Sequence, residues 1–231
     1  MKVFISADIE GTAVTATREG CRPEEFEYER SRKEMTAEVV AAAEGARAAG
    51  AELVVVKDAH GPGLNILPEE LPEYVQLIRS WSGSPEMMVE GLDSSFDAAF
   101  FVGYHNAAGE GGNALSHTIN GGVVHRITVN GQPASEFLIY SWMAAWYGVP
   151  SVLLTGDKTL CEVGAELHPS LVTVPVKDDV GGRSQGLSPV LAHRRIREGA
   201  ERAVKQDLSA ARITLPEHFR VELTYKSHRD A

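Results

Sequence analysis

Four apolar stretches of this 231-residue chain each end in a carboxylate or an imidazole. They are Val3-Phe-Ile-Ser-Ala-Asp8-Ile-Glu10, Leu53-Val-Val-Val-Lys-Asp58-Ala-His60, Ala99-Phe-Phe-Val-Gly-Tyr-His105 and Val152-Leu-Leu-Thr-Gly-Asp157. Each reads as a buried strand. In open α/β sheets, ligands bind beyond the carboxyl ends of the parallel strands, so polar residues placed there share one crevice. Asp8 and Glu10, and likewise Asp58 and His60, stand at i and i+2 on one strand face. Oxygen ligands and imidazoles gathered in one crevice are the donor set of a divalent metal. Two acids side by side also repel unless a cation lies between them.

Each residue has a plainer reading. Asp8 before Gly11 suits a turn. Asp58 could orient the neighbouring imidazole or share a metal with it. His105 could be a neutral core histidine, and imidazole is also a common metal ligand. Asp157 reads as the cap of the next helix, and Glu136 follows Ser135, a good N-cap, where a first-turn acid is expected for dipole reasons alone. Ser116 and His117 are adjacent, so in a strand their side chains diverge and they form no hydrolase dyad. His117 by itself is open between general acid/base, ligand and no role. His125, His168, His193, His218 and His228 have no polar constellation around them and read as structural.

The elements that must position these groups follow from the pattern. Residues 2–9 read as the first strand. Pro23 opens a helix with Glu24, Glu25 and Glu27 in its first turns, and the helix stops at Gly50. Residues 52–57 return as a parallel strand, which makes a right-handed βαβ unit. Further strands are expected at 75–78, 96–104, 152–155, 172–176 and within 212–225. Residues 106–114 read as a flexible loop or lid. Asn130-Gly131 suits a type I′ hairpin turn between 123–129 and 132–134. Helices are expected at 136–147, 158–167 and 189–206, with 183–189 as a turn region. The fold class is α/β: a mostly parallel sheet flanked by helices, with a β-hairpin insertion and a second, smaller α/β part. The chain reads as one catalytic unit, 1–231, with a subdivision near 115–150.

Composition sets outer bounds. The chain is 43% hydrophobic and 23% charged, ordinary for a globular protein with one sizeable core. A formal net charge of -10 argues against nucleic acid or an anionic membrane as main partners. The two cysteines, Cys21 and Cys161, are far apart and form no CxxC pair, so a reducing cytoplasm is the default. The N-terminal segment, interrupted by Asp8 and Glu10, is no signal peptide, and no run approaches the ~20 apolar residues of a membrane span.

Taken in order, the motifs resemble a known family. They are Ser6-Ala-Asp8-Ile-Glu10-Gly11, Tyr28-Glu-Arg30 with Met35-Thr36, Asp58-Ala-His60, Met88-Val-Glu-Gly-Leu-Asp93, Gly103-Tyr-His105, Ser116-His117 and Asn130-Gly-Gln-Pro-Ala-Ser-Glu136. Val149-Pro150, Gly156-Asp157, Val176-Lys177, Arg183 and Leu187-Ser-Pro189 follow. The chain resembles, over about residues 1–190, the DppA-type D-aminopeptidases, zinc peptidases first named for a dipeptide-transport operon. The resemblance implies two zinc ions per chain, held by Asp8, Glu10, His60, His105 and Glu136; among these, Asp8 is the expected bridging carboxylate. It places His117 at the family's catalytic histidine and implies attack by a metal-bound hydroxide. The implied substrates are short peptides or amides with an N-terminal D-residue such as D-Ala, and the implied assembly is a homo-oligomer, a decameric ring. Members usually continue for several dozen residues past the equivalent of Tyr225, whereas this sequence ends at Ala231.

Two other functions fit the same residues: a di-metal hydrolase of another small amide or ester, and a non-catalytic peptide-binding protein serving transport. No phosphate-binding glycine loop is present, which disfavours nucleotide chemistry. The aromatic run Phe137, Tyr140, Trp142, Trp146 and Tyr147 carries more apolar surface than one core stripe needs, which marks a subunit contact.

Overall fold

The computed structural model describes residues 1–231. In chain order the strands and helices are β1 (Lys2–Ala7), α1 (Tyr28–Ala48), β2 (Leu53–Asp58), β3 (Val75–Ile78) and β4 (Ala98–Tyr104). Then come β5 (Val124–Val129), β6 (Gln132–Pro133), α2 (Glu136–Trp146), β7 (Ser151–Asp157) and α3 (Lys158–Leu167). The chain closes with β8 (Val172–Val180), β9 (Arg183–Gly186), α4 (Pro189–Lys205) and β10 (Val221–Tyr225). No helix is long and apolar enough to cross a membrane.

Seven strands form one sheet in the order β3-β2-β1-β4-β7-β8-β9. All pairs are parallel except β8 with β9. Both faces are covered, so the central strands are apolar without alternation. Val3, Ile5, Val54, Val56, Phe100 and Val102 face α1 and α4. Phe4, Val55, Phe101 and Leu154 face the other way, against Phe137 and Tyr140 of α2 and Leu160 of α3. Each such buried side chain contributes roughly 1.5–3 kcal/mol relative to exposure, so the sheet is a rigid platform.

The order of strands places a switch point between β1 and β4. The chain steps outward to β2 and β3 on one side of β1, and to β4, β7 and β8 on the other. A crevice opens at the carboxyl ends of the strands where the order reverses. There the ends of β1 and β4 lie unusually close. Any Cβ at Gly11 would collide with the Tyr104 carbonyl, and one at Gly103 (φ +73°) with the Asp8 carbonyl.

A second, three-stranded antiparallel sheet, β10-β5-β6, sits beside α2. Its hairpin turns through Asn130 (φ 53°) and Gly131 (φ 82°), the positive pair that a type I′ turn requires.

The expected elements differ from the structure at four places. α1 starts at Tyr28 and not at Pro23, and Glu24 lies at φ +73°. A residue at that positive φ cannot continue a right-handed helix, so the segment before Tyr28 makes only isolated turns. Arg183–Gly186 is a strand and not a turn, paired back onto β8 from Lys177 to Val180. Residues 106–114 are no free lid: Asn106, Ala107, Ala108 and Asn113 are buried. Of 212–225, only Val221–Tyr225 pairs as a strand. Both cysteines are free thiols.

Candidate metal centre

Six side chains meet at the switch point. Asp8 and Glu10 follow β1, His60 follows β2, His105 follows β4, and Glu136 opens α2. His117 comes from the connection between β4 and β5. All six expected residues are therefore brought together.

Asp8 is central. Its Oδ1 lies 3.3 Å from His60 Nδ1 and its Oδ2 lies 3.4 Å from His105 Nε2. Glu10 Oε2 is 2.9 Å from the same His60 nitrogen. Glu136 Oε2 is 3.4 Å from His105 Nε2, and its Oε1 is 3.8 Å from His117 Nε2. The rings of His105 and His117 stack at 4.3 Å.

The remaining ring nitrogens define what these contacts mean. His60 Nε2 lies 2.8 Å from the Cys21 carbonyl, His105 Nδ1 3.0 Å from the Asn106 carbonyl, and His117 Nδ1 2.9 Å from the Leu115 carbonyl. A carbonyl only accepts, so each of those nitrogens carries the hydrogen. The other nitrogen of each ring then presents a lone pair to carboxylates, which is repulsive unless a cation stands between them. Backbone carbonyls holding the far side of ligand imidazoles are a recurring feature of metal sites. Asp8 Oδ2, Glu10 Oε2 and His105 Nε2 are buried without a hydrogen-bond partner, as atoms awaiting such a cation are.

The electrostatics agree. Burial and the neighbouring Glu10 push Asp8 up to about 8. Burial opposes ionisation of Glu10 too, yet His60, His105 and His117 outweigh it and hold Glu10 well below the usual carboxylate range. Burial likewise disfavours charge on His105, but Glu136, Asp8 and Glu10 raise it to about 10. The cluster thus requires positive charge, which protons or metal ions can supply.

Three ligand groupings satisfy metal-like spacing, with donor atoms within 4.8 Å: Asp8/Glu10/His60, Asp8/His105/Glu136 and Glu10/His105/His117. The first two share Asp8 and between them use five residues. The third would draw in His117 and strand His60 and Glu136. The side chain of His117 is 24% exposed, against 10% or less for the other five, so it faces the solvent side of the cluster.

Around this cluster lies a rigid support that sequence reading left unassigned. Lys177 is buried and donates to the carbonyls of Glu10 and Thr15, both at 2.6 Å, while pairing with Asp179 at 3.3 Å. Breaking such a buried pair costs about 3–5 kcal/mol. Glu38 of α1 accepts the Ala13 amide at 2.8 Å and is raised by burial to about 8. Together these groups hold the 10–15 turn. Asn113 donates to the Glu10 carbonyl and to Asp157, and Asp157 also accepts the Asn106 amide next to His105. Asp157 caps α3 as expected, through the Leu160 amide. Ser135 caps α2 through the Leu138 amide, which fixes the direction of Glu136.

Asp58 is a correction. It neither orients His60 nor faces the cluster. Its carboxylate accepts the amides of Asn65 and Ile66 and the Asn65 side chain. His60 lies beyond the last residue of β2, so the same-face rule for strands no longer relates the two.

Two cavities open on the cluster. One, of about 410 Å³, has an apolar wall of Trp81, Met87, Met88, Ile119 and Tyr140. The other, of about 690 Å³, lies on the side of the Arg18–Cys21 turn.

A family model described as D-aminopeptidase matches residues 1–231. The chain is 30% identical over 232 residues to the D-aminopeptidase of Bacillus subtilis (strain 168), spanning 100% of this chain and 84% of that protein. It superposes on the solved structure of the Zn-dependent D-aminopeptidase DppA from Bacillus subtilis, a self-compartmentalizing protease. The TM-score is 0.91 at 28% identity, covering 98% of this chain and 82% of the other.

Proposed function

The chain belongs to the D-aminopeptidase family and is a metallo-aminopeptidase, and from that premise we propose that it is a zinc enzyme removing N-terminal D-residues from short peptides. The observation that carries the metal assignment is Asp8, whose two oxygens each face a different imidazole. On this reading Asp8 would contribute a ligand to each of two zinc sites. Glu10 and His60 complete one, and His105 and Glu136 the other.

Zinc, when bound, lowers the pKa of water from 15.7 to about 7 and polarises a carbonyl, which supplies hydroxide for peptide hydrolysis at neutral pH. The rest is done by this chain. His117 Nδ1 is tied to the Leu115 carbonyl, which leaves Nε2 without a hydrogen-bond partner, and the residue lines both cavities. It is the group placed to accept a proton and return it to the leaving amine. Glu136 Oε1 accepts the Ile119 amide at 2.6 Å and fixes the loop on which His117 rides.

Stereochemistry follows from where the first side chain lies. We infer that, with the amine and scissile carbonyl fixed at the cluster, a D-side chain would lie against the apolar wall of Trp81, Met88 and Tyr140 and an L-side chain would turn away from it. Trp81 is held by its indole N–H on the Gly61 carbonyl at 2.8 Å, next to His60.

Assembly belongs to the same reading. Phe137 and Tyr140 are core residues, but Trp146 is 75% exposed and an apolar groove of about 530 Å³ runs between α2 and the small sheet. We assign this face to contacts between copies, in a ring of ten by family resemblance, acting in the cytoplasm.

The test compares D-alanyl and L-alanyl p-nitroanilide with zinc-loaded protein. The D-substrate should be cleaved at least about tenfold faster, a difference of ~1.4 kcal/mol, and chelation should abolish turnover. Faster L-cleavage, or turnover indifferent to chelator, contradicts the assignment.

A further inference from the structure

The larger cavity beside the cluster carries a charge pattern opposite to that of the whole chain. The chain has a formal net charge of -10, yet this cavity is lined by Arg18, Arg22 and Lys226. Its one lining carboxylate is Glu10, which the zinc cluster uses. None of the three cations forms an ion pair. Glu19 is the nearby acid; it stands between Arg18 and Arg22 in sequence but does not line the cavity. Lys226 Nζ makes one bond, to the Gly121 carbonyl, and retains two further donors.

One contact ties the arginine segment to the cluster, and a separate one holds Lys226. Arg18 opens and Arg22 follows the turn whose Cys21 carbonyl holds the His60 ring. The backbone of Lys226 is pinned by its amide on the Val123 carbonyl at 2.8 Å. His60, Gly61, His117, Ile119 and Glu10 are common to the walls of both cavities. A peptide with its first side chain in the apolar cavity therefore runs past His117 into the basic one.

We propose that Arg18, Arg22 and Lys226 bind the free C-terminal carboxylate of the substrate, which makes the enzyme selective for di- and tripeptides over peptide amides. Guanidinium groups are suited to this, because their paired N–H donors match a carboxylate. The cations also draw an anionic substrate end toward the mouth of an otherwise acidic protein. This inference rests on the aminopeptidase reading, and its test separates the two.

The experiment measures kcat and KM for D-Ala-Gly and D-Ala-Gly amide, with wild type and with Arg18→Gln/Arg22→Gln, both zinc-loaded. Calorimetry with the uncleavable reduced-bond analogue of each peptide gives binding without turnover. Wild type should prefer the acid by about tenfold in kcat/KM, the yield of one good charge-assisted pair. The double variant should lose that preference through KM for the acid alone, leaving the amide unchanged. Lys226→Gln should act in the same direction. Equal use of acid and amide by wild type, or an equal loss on both in the variant, overturns the carboxylate site while the aminopeptidase stands. Arginine-dependent binding of the acid analogue with no hydrolysis of either peptide overturns the aminopeptidase and leaves the carboxylate site.

Discussion

Replacing His105 by alanine is expected to strip zinc from the centre and to abolish peptide hydrolysis. His105 Nε2 faces Asp8 Oδ2 and Glu136 Oε2, both at 3.4 Å, and the side chain is fully buried. Alanine would remove the imidazole that stands between Asp8 and Glu136 and leave those two buried carboxylates with weaker compensation for their mutual repulsion. Loss of a group that merely orients a ligand costs ~10–100-fold in metal affinity, so loss of the ligand itself should cost at least about 100-fold. Elemental analysis of protein purified without chelator should show the deficit, with activity lost in parallel and the circular dichroism spectrum retained. His60→Ala should behave alike, because His60 Nδ1 joins Asp8 to Glu10. Full activity in either variant would remove these residues from the centre.

His117→Ala should have the second-largest effect by a different route. Its ring stacks on His105, and its Nε2 is 3.8 Å from Glu136, the longest nitrogen–oxygen distance in the cluster. The variant should keep both zinc ions and its fold, while turnover falls by ~10²–10⁴, the range for a lost acid/base group. The metal count is the discriminating measurement. Loss of one zinc would instead make His117 a ligand, in the grouping with Glu10 and His105. Unchanged turnover would leave it with a structural part only, through its bond to the Leu115 carbonyl.

How far the site was legible in the sequence depends on how locally each residue is placed. Asp8, Glu10, His60 and His105 could be read because each lies within three residues of the end of a strand of the parallel sheet, and the fold rule sends all such residues to one crevice. Glu136 could not be separated from an ordinary first-turn acid, since Ser135 caps α2 in either case. Its meaning comes from long-range contacts: the Ile119 amide and two imidazoles reach it from a connection that has no periodic pattern. The family resemblance alone picked it out. Lys177 shows the same limit. It falls just past the expected strand 172–176, and only the folded chain reveals that it is buried against the Glu10 turn. Asp58 failed in the opposite sense, because its i+2 spacing from His60 mimicked a shared face that ends where the strand ends. The start of α1 was misplaced for a related reason. Pro23 and its acids obey helix-start rules, but Glu24 takes a positive φ that no continuous helix from Pro23 can accommodate.

The central claim is that this crevice holds two zinc ions bridged by Asp8. Its most direct test is anomalous diffraction from crystals of the zinc-loaded protein, at wavelengths on either side of the zinc edge. Two zinc peaks per chain should appear, one among Asp8, Glu10 and His60 and one among Asp8, His105 and Glu136. A single peak, or peaks that leave Asp8 outside both coordination shells, would contradict the account.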